Sequence, residues 1–293
     1  MQAFDHEMVT LANNTRVVVH FNQAARDDLA RSKDVSPATR TPLLCLHGNS
    51  QDATTLMPLA REPWLDWPVI MLDLPGHGLS PPAADPEATY SVPGYAAVLR
   101  SLLAHLQLPE VCLLGHSLGG HVILEALPYL QGVHGIILTG SPPTGVDNLG
   151  RAFLPAEAAA ALFSATMEDR VRSEAADDLM RGVPRAQVAT LLDIYDRTDP
   201  QARTCLAASL QAGRVADGRR ILVDSGMPCL YLHGTEDPLI SGDYVREVFS
   251  DCGPQARLDI LEGQGHWPQL EAPDVFASRV FEFVSVLNER AEL

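Results

Sequence analysis

The sequence predicts an α/β fold in which a mostly parallel, eight-stranded sheet is flanked by helices. Six apolar runs have strand length, and they are continuous rather than alternating, as expected of strands buried on both faces of a sheet. The runs lie at 42–48, 68–76, 110–115, 133–140, 228–234 and 256–263. Predicted helices alternate with them, at 52–62, 93–107, 118–130, 241–250 and 272–289. This alternation is typical of a parallel sheet covered by helices.

Two segments near the beginning of the chain do not follow this alternation. Residues 8–21 contain two strand-like segments around an Asn13–Asn14 turn, which predicts an antiparallel hairpin at one edge of the sheet. Residues 23–41 are polar and contain a proline near their end. We therefore expect them to form an exposed excursion between the hairpin and the first parallel strand.

A helical insertion is predicted between two strands of the sheet. From 141 to 225 the chain has no strand-like run, and its alanine-rich segments are typical of helices. We expect residues 1–140 and 226–293 to form an α/β core domain, and residues 141–225 to form a helical cap over it.

Charge and composition narrow the classes of partner. The chain has 21 Lys and Arg against 37 Asp and Glu, a formal net charge of −16, so nucleic acid and anionic membrane surfaces should be repelled. A neutral or weakly polar small molecule is the better expectation, and the oligomeric state stays open. The first residues lack the basic and apolar regions of a signal peptide, and no apolar run approaches the roughly 18 residues of a membrane span. We expect a cytoplasmic protein.

No metal site and no cofactor are predicted. The chain has five cysteines and no CxxC pair or His/Cys cluster with the spacing of a zinc site. Three of the cysteines lie inside strand-like runs, which indicates buried, reduced thiols: Cys45, Cys112 and Cys229.

The segment VCLLGHSLGGH (111–121) contains the candidate nucleophile, Ser117. It has the pattern G-x-S-x-G between a predicted strand and a predicted helix, and the glycines allow the tight turn that projects a serine hydroxyl outward. In an open α/β sheet, ligands bind beyond the carboxyl ends of the strands, which is where this turn lies. The alternative is a structural strand-to-helix turn that is rich in glycine.

A serine hydroxyl needs a base to take its proton, and imidazole is the usual base near neutral pH. His266 follows the last predicted strand and precedes the last helix, so its side chain can reach over the sheet edge. Its alternative is a packed structural histidine. Three other histidines flank turns and are expected to be hydrogen-bonded structural groups: His47, His77 and His233. His116 is next to the serine but is expected to point away from the elbow, and His121 lies on the following helix.

A carboxylate must orient the imidazole and offset its positive charge. Asp237 lies three residues after Gly234, where the preceding strand ends, and Pro238 restricts the backbone next to it. Glu236 is the competing acid, and both acids could instead cap the helix that follows. The order Ser117, Asp237, His266 is the order expected of a nucleophile elbow in this architecture.

The oxyanion that forms during acyl transfer needs hydrogen-bond donors. The backbone N–H of Leu118 lies at a predicted helix start, and that of Asn49 lies in the HGNS turn (47–50) after the first parallel strand. We predict that these two groups form the oxyanion hole. The alternative for HGNS is a simple turn.

Taken together, these motifs resemble the α/β-hydrolase superfamily over nearly the whole chain. The similarity is carried by HGNS, DLPGHGLS (73–80), GHSLGG (115–120), an acid after the next-to-last strand and a late GxGH. The resemblance implies the α/β-hydrolase fold with an inserted cap. A serine at the elbow argues against the branches of the superfamily that use a carboxylate nucleophile, the dehalogenases and epoxide hydrolases.

A narrower resemblance concerns the substrate. HGNS, DLPGHG, TYSVPGYA (89–96), GHSLGGH, LTGSPP (138–143) and LLDIYDRTDPQAR (191–203) are similar, in order and spacing, to the α/β-hydrolase-fold N-acyl-homoserine lactone lactonases. The resemblance implies metal-independent opening of the lactone ring, an activity that quenches quorum signals. The alternatives are a general carboxylesterase for small or medium-chain esters and a ligand receptor that has kept a hydrolase pocket.

Apolar residues of the cap and one residue beside the candidate base are expected to line an acyl-chain pocket. The alternative for each is that it only packs the cap onto the core. The candidates are Phe153, Leu162, Phe163, Met167, Tyr195 and Trp267.

Overall fold

The computed structural model describes residues 4–32, 40–59, 61, 64 and 66–291, and it contains one eight-stranded sheet. In sheet order the strands are β1 (Asp5–Thr10), β2 (Arg16–Phe21), β4 (Val69–Asp73), β3 (Leu43–Leu46), β5 (Val111–His116), β6 (Val133–Thr139), β7 (Cys229–Gly234) and β8 (Ala256–Leu261). β1 and β2 form an antiparallel hairpin, and β2 pairs antiparallel with β4. All other strand pairs are parallel, which confirms the predicted fold class.

Helices cover both faces of the sheet. The α-helices are α1 (Gln23–Ser32), α2 (Pro86–Thr89), α3 (Val92–Leu106), α4 (Leu118–Ala126), α5 (Leu149–Ala152), α6 (Asp169–Asp178), α7 (Arg185–Arg197), α8 (Pro200–Gln211), α9 (Gly218–Ser225), α10 (Gly242–Asp251), α11 (Pro268–Glu271) and α12 (Pro273–Ala291). Short 3₁₀ helices lie at Ala53–Leu59, Leu127–Tyr129, Val146–Asn148 and Glu157–Phe163. Within the described ranges, no helix has the length and hydropathy needed to cross a membrane.

The central strands are hydrophobic along their whole length because both of their faces are covered. All six residues of β5 are buried, and so are all four of β3. On one face α12 packs its buried Phe276, Val280 and Val284 against the sheet. Full burial of a side chain such as Phe276 contributes about 1.5–3 kcal/mol. This packing holds the strand ends, and thus the loops that follow them, in a fixed arrangement.

The segment 23–41 differs from the expected excursion in its first part, which is the helix α1. The side chain of Asn22 accepts a hydrogen bond from the N–H of Ala25 at 2.9 Å and so caps the helix, and Ala25 is buried. Asn22 also donates to the carbonyl of Trp67 at 2.7 Å. Asn22 is therefore the residue that caps the start of α1, and its side chain also holds the loop that contains Trp67. Residues 33–39 of the predicted excursion lie outside the described residues.

The chain between β6 and β7 is helical in the described residues, and it contacts the core at several points. Tyr90 donates a hydrogen bond to Asp199 at 2.6 Å, and the N–H of Asp199 donates to the carbonyl of Gly76 at 2.8 Å. Phe153 forms an isolated antiparallel bridge with Ile240. These contacts tie the segment from Val146 to Gln211 to the loops beyond the strand ends.

The last helix of this insertion differs from the others in its packing. α9 contacts α4 and α10, both of which cover the sheet. Its Leu222 is buried in the main core cluster. We therefore group α9 with the core and propose that the cap ends before Gly218 rather than at residue 225.

Candidate active site

Ser117 occupies a strained turn between β5 and α4. Its φ is 51° and its ψ is −117°, a conformation that a residue with a side chain rarely adopts. Its N–H donates to the carbonyl of Thr139 at 2.9 Å, so the turn is fixed to the end of β6. A Cβ at Gly115 would overlap the backbone of Gly120, and a Cβ at Gly119 would overlap the carbonyl of Leu46. The glycines of G-x-S-x-G are therefore required by close backbone contact.

Asp237 and His266 form a buried hydrogen-bonded pair. Asp237 Oδ2 and His266 Nδ1 lie 2.9 Å apart, and the two side chains are 2% and 3% exposed. The other carboxylate oxygen accepts hydrogen bonds from the N–H groups of Leu239 at 2.9 Å and Ile240 at 3.2 Å. Because a carboxylate only accepts, the proton of a neutral His266 lies on Nδ1, and Nε2 is free to act as a base.

The charge state of Asp237 follows from these contacts. Burial by itself would raise its pKa, but the charge and hydrogen bond of His266 and the N–H of Leu239 together hold the pKa below its ordinary value. Asp237 is therefore ionised at neutral pH. The ionised carboxylate accepts the hydrogen bond from Nδ1–H of His266 and so fixes the orientation of the ring.

The imidazole of His266 lies beside the segment that carries Ser117. A Cβ at Gly140 would lie 2.6 Å from His266 Cε1 and 3.2 Å from its Nε2. Gly140 directly follows Thr139, which accepts the hydrogen bond from Ser117. The Cε1 edge of the ring, between its two nitrogens, therefore lies against Gly140 at the end of β6. The ends of β5, β6, β7 and β8 bring these residues together from distant parts of the sequence.

His116 is a site-supporting residue that sequence reasoning missed. It is fully buried; its Nε2 lies 2.9 Å from the carbonyl oxygen of His266 and its Nδ1 lies 3.0 Å from Oε1 of Gln51, and a neutral imidazole donates to only one of these two oxygens. Gln51 also accepts a hydrogen bond from the N–H of Gly48 at 3.3 Å. His116 thus links the elbow to the His266 loop and to the loop after β3. Burial lowers its pKa to about 3, so it is neutral.

The candidate oxyanion-hole residues flank Ser117. Leu118 begins α4, and Asn49 follows β3; both line the same cavity as Ser117. The side chain of Asn49 donates to the carbonyl of Leu162 at 2.7 Å. The loop after β3 is therefore hydrogen-bonded directly to the cap.

The DLPGHG motif (73–78) is hydrogen-bonded to the loop after β3. Asp73 is buried; it accepts hydrogen bonds from the N–H groups of Ala53 at 2.8 Å and Leu79 at 2.9 Å and contacts His20 Nε2 at 3.0 Å. Burial would raise its pKa, but His20 and these donors keep the pKa below the ordinary value. His47 accepts a hydrogen bond from the N–H of Leu74 at 3.0 Å, consistent with the structural role predicted for it.

A cavity of about 110 Å³ lies between Ser117 and the cap. Most of its lining is apolar and comes from both core and cap: Asn49, Val92, Ser117, Leu118, His121, Thr144, Leu149, Phe153, Phe163, Leu206, Leu210 and Val215. The cavity joins the candidate nucleophile to an apolar space suited to an acyl chain.

Phe153 and Phe163, two of the predicted substrate-binding residues, line this cavity. The structure places the others in the packing around it. Tyr195 is buried in the cap, where its hydroxyl donates to the carbonyls of Ala161 and Ser164 at 3.1 and 3.0 Å. Trp267 packs its ring against the His266 ring, with centroids 4.9 Å apart. Leu162 and Met167 are partly buried residues that pack against the core. These four residues are not among those that line this cavity, and a role for them in substrate binding stays a prediction.

Among the residues that the structure describes, no group of three or more His, Cys, Asp or Glu side chains is arranged to hold a metal ion.

Comparison with known proteins places this geometry in a family. A family model described as "Alpha/beta hydrolase family" matches residues 43–279. An uncharacterized protein of Mycobacterium tuberculosis is 30% identical over 274 residues, covering 85% of this chain and 76% of the relative. Esterase YbfF of Escherichia coli is 25% identical over 245 residues, covering 84% of this chain and 93% of the relative.

Solved structures of the N-acyl homoserine lactonase AidH are similar over the whole fold. A mutant of AidH in complex with N-hexanoyl homoserine lactone superimposes with a TM-score of 0.83 and 26% identity, covering 97% of this chain and 99% of that chain. The family match spans most of the sheet and all of the candidate site. The chain is therefore a member of the alpha/beta hydrolase family.

Proposed function

We propose that the protein is a serine hydrolase that opens the lactone ring of N-acyl-homoserine lactones through an acyl-serine intermediate. The observation that carries the proposal is the 2.9 Å contact of Asp237 with His266, beside a strained elbow that presents Ser117 to an apolar cavity. The similarity to AidH, named as an N-acyl homoserine lactonase, supports the choice of a lactone. On this proposal the activity would quench quorum signals.

In the acylation step, Nε2 of His266 takes the proton of the Ser117 hydroxyl as the oxygen attacks the lactone carbonyl carbon. The carbonyl oxygen becomes an oxyanion and accepts hydrogen bonds from the N–H groups of Leu118 and Asn49. The bond between the carbonyl carbon and the ring oxygen then breaks, and Nε2–H protonates that oxygen. The product is an acyl-enzyme whose acyl group carries the new hydroxyl.

In the deacylation step, His266 takes a proton from a water molecule, and the resulting hydroxide attacks the acyl carbon. The ester bond to Ser117 breaks, and the proton returns to the serine oxygen. Because the new hydroxyl remains tethered to the acyl group, it can close the ring again, and such tethered groups reach effective molarities of about 10⁵ M or more. Net turnover therefore requires that the cavity hold this hydroxyl away from the acyl carbon.

The ionised Asp237 stabilises the imidazolium that forms in each step and keeps Nδ1 protonated. The two backbone donors stabilise the oxyanion, and loss of one such donor typically slows acyl transfer by about 10²–10³-fold. All of these groups are supplied by loops at one edge of the sheet.

A general carboxylesterase is the second candidate, and similarity to esterase YbfF favours it. The same residues would perform the same two steps on an open-chain ester. The two functions differ only in the leaving group, which departs from the site in an ester and stays attached in a lactone.

The test is a panel of N-acyl-homoserine lactones and p-nitrophenyl esters, with ring opening followed by acid release. We expect the wild-type protein to turn over the lactones with the higher kcat/KM, and Ser117→Ala to lose both activities. Ser250→Ala, which removes an exposed hydroxyl on α10, is the matched control. Esters preferred by orders of magnitude would support the carboxylesterase instead. A single burst without steady turnover would support the ligand receptor.

A further inference from the structure

His121 is a polar side chain in the cavity to which the proposed mechanism gives no role. It lies on α4 four residues after Ser117 and lines the same cavity. The backbone N–H of His121 lies 3.4 Å from the carbonyl oxygen of Ser117, so the two residues are separated by the first turn of the helix. A substrate whose carbonyl is at Ser117 therefore has its next few atoms near His121.

The imidazole of His121 makes no hydrogen bond with any residue in the described part of the chain. Its ring lies beside the Phe153 ring, with the two centroids 6.1 Å apart. Apart from Ser117, the other polar side chains that line the cavity each make a hydrogen bond: Asn49 donates to the carbonyl of Leu162, and Thr144 donates to the carbonyl of Gly145. His121 therefore brings an unused donor and an unused acceptor into an apolar space.

The imidazole is neutral at physiological pH. Burial is the main cause, with a smaller effect from the nearby His266, and together they lower the pKa of His121 to about 4. A neutral imidazole has one N–H donor and one nitrogen acceptor. It matches a neutral group that also donates and accepts, and it does not favour an anion.

An amide next to the scissile carbonyl has this chemistry. In an α-acylamino lactone or ester, the amide nitrogen is two bonds from the scissile carbonyl carbon, and the amide carbonyl carbon is three bonds away. We propose that His121 binds this amide and so selects N-acylated α-amino lactones and esters over substrates with a plain alkyl chain. This inference rests on the proposed attack by Ser117.

The discrimination arises because a plain chain leaves the imidazole unpaired inside the cavity. With the amide substrate the imidazole forms a hydrogen bond, and with the plain chain it stays unpaired. This difference corresponds to about a tenfold preference in kcat/KM for the amide substrate. The relevant quantity is therefore the ratio of kcat/KM for two substrates of equal length, one with the amide and one without it.

The experiment compares N-hexanoyl-homoserine lactone with the lactone in which two methylenes replace the amide N–H and C=O. The same comparison is made with p-nitrophenyl N-hexanoylglycinate and p-nitrophenyl nonanoate. We expect the wild type to prefer the amide substrate about tenfold or more, His121→Leu to lose this preference, and His121→Gln, which keeps a donor and an acceptor, to retain most of it.

The two substrate pairs separate failure of this inference from failure of the proposed function. If the wild type opens no lactone but shows the amide preference with the ester pair, the lactonase proposal fails and the role of His121 stands. An equal ratio in wild type and His121→Leu would overturn the role of His121 even if both lactones are opened. Thermal unfolding and near-UV circular dichroism check that each variant is folded.

Discussion

Replacing Asp237 by Asn removes the charge of the candidate acid while keeping the shape of its loop. Asp237 Oδ1 accepts hydrogen bonds from the N–H groups of Leu239 and Ile240, and the asparagine oxygen can keep both. The second atom, which lies 2.9 Å from His266 Nδ1, becomes an NH₂ group. Because this group donates, Nδ1 must accept, and the imidazole proton moves to Nε2.

The expected loss follows from this change of tautomer. With a proton on Nε2, His266 cannot take the proton of Ser117, and the imidazolium also loses its negative neighbour. Loss of the correct tautomer in such a triad lowers kcat by about 10⁴-fold, or about 5.5 kcal/mol in the activation free energy. The carboxylate, whose pKa is lowered on folding, stabilises the protein above its unfolded pKa. We therefore also expect a modest fall in Tm at pH 7.

The assay is steady-state hydrolysis of a lactone and of a p-nitrophenyl ester by folded protein, with Tm measured alongside. Glu236→Gln is the control, because Glu236 is the exposed acid next to Asp237 on the same loop. We expect this variant to stay within about twofold of the wild-type kcat, whereas a 10⁴-fold loss is typical of the tautomer change. A kcat of Asp237→Asn within tenfold of wild type, or a large loss in Glu236→Gln, would refute the assignment of Asp237.

Three further predictions concern the stability of the fold and the length of the substrate's acyl chain. Gly119→Ala places a methyl group against the carbonyl of Leu46. We expect this substitution to lower the free energy of unfolding, measured by urea titration, by about 3 kcal/mol. The control is Gly150→Ala, because a Cβ at Gly150 meets nothing within 4 Å. Acid should destabilise the fold by up to about 1.4 kcal/mol per pH unit for each histidine whose pKa is lowered on folding, as pH falls from about 6.5 to 4, because the unfolded chain binds protons that the folded protein does not. A flat urea midpoint between pH 7 and 5 would contradict this, since burial lowers the pKa to about 3, 3 and 4 in His77, His116 and His121. Phe163→Ala enlarges the cavity, and we expect the turnover of dodecanoyl relative to butanoyl lactone to rise; an unchanged ratio would count against its contact with the acyl chain.

The predicted strands and the elbow follow from patterns that are local in the chain. A strand buried on both faces needs a continuous apolar run, and the run at 110–115 matches β5 to within one residue at each end. The helix α1 was missed because its buried positions, Ala25 and Asp28, form no apolar stripe, and because its N-cap is a single side chain, Asn22. A cap is a short-range signal that composition does not show.

In the candidate site, too, some features could be predicted from the sequence and others depend on the tertiary structure. The positions of Ser117, Asp237 and His266 after strands could be predicted, since the carboxyl ends of parallel strands lie at one sheet edge. The role of His116 could not, because its partners are 65 and 150 residues away in the chain. The sequence also did not show where the side chain of Tyr195 lies, because its hydroxyl donates hydrogen bonds to the carbonyls of Ala161 and Ser164 inside the cap.

By itself, the sequence determined the alternation of strands and helices, the turn that requires glycine on both sides of Ser117, and the order of the candidate site residues. These features depend on neighbours in the chain and on backbone sterics. Only the tertiary structure decided which groups surround His116, which aromatic rings line the cavity, and that His121 makes no hydrogen bond there with any of the described residues. Each of these depends on which distant groups already satisfy a side chain's hydrogen bonds, and that becomes known only when the packed neighbours are in place.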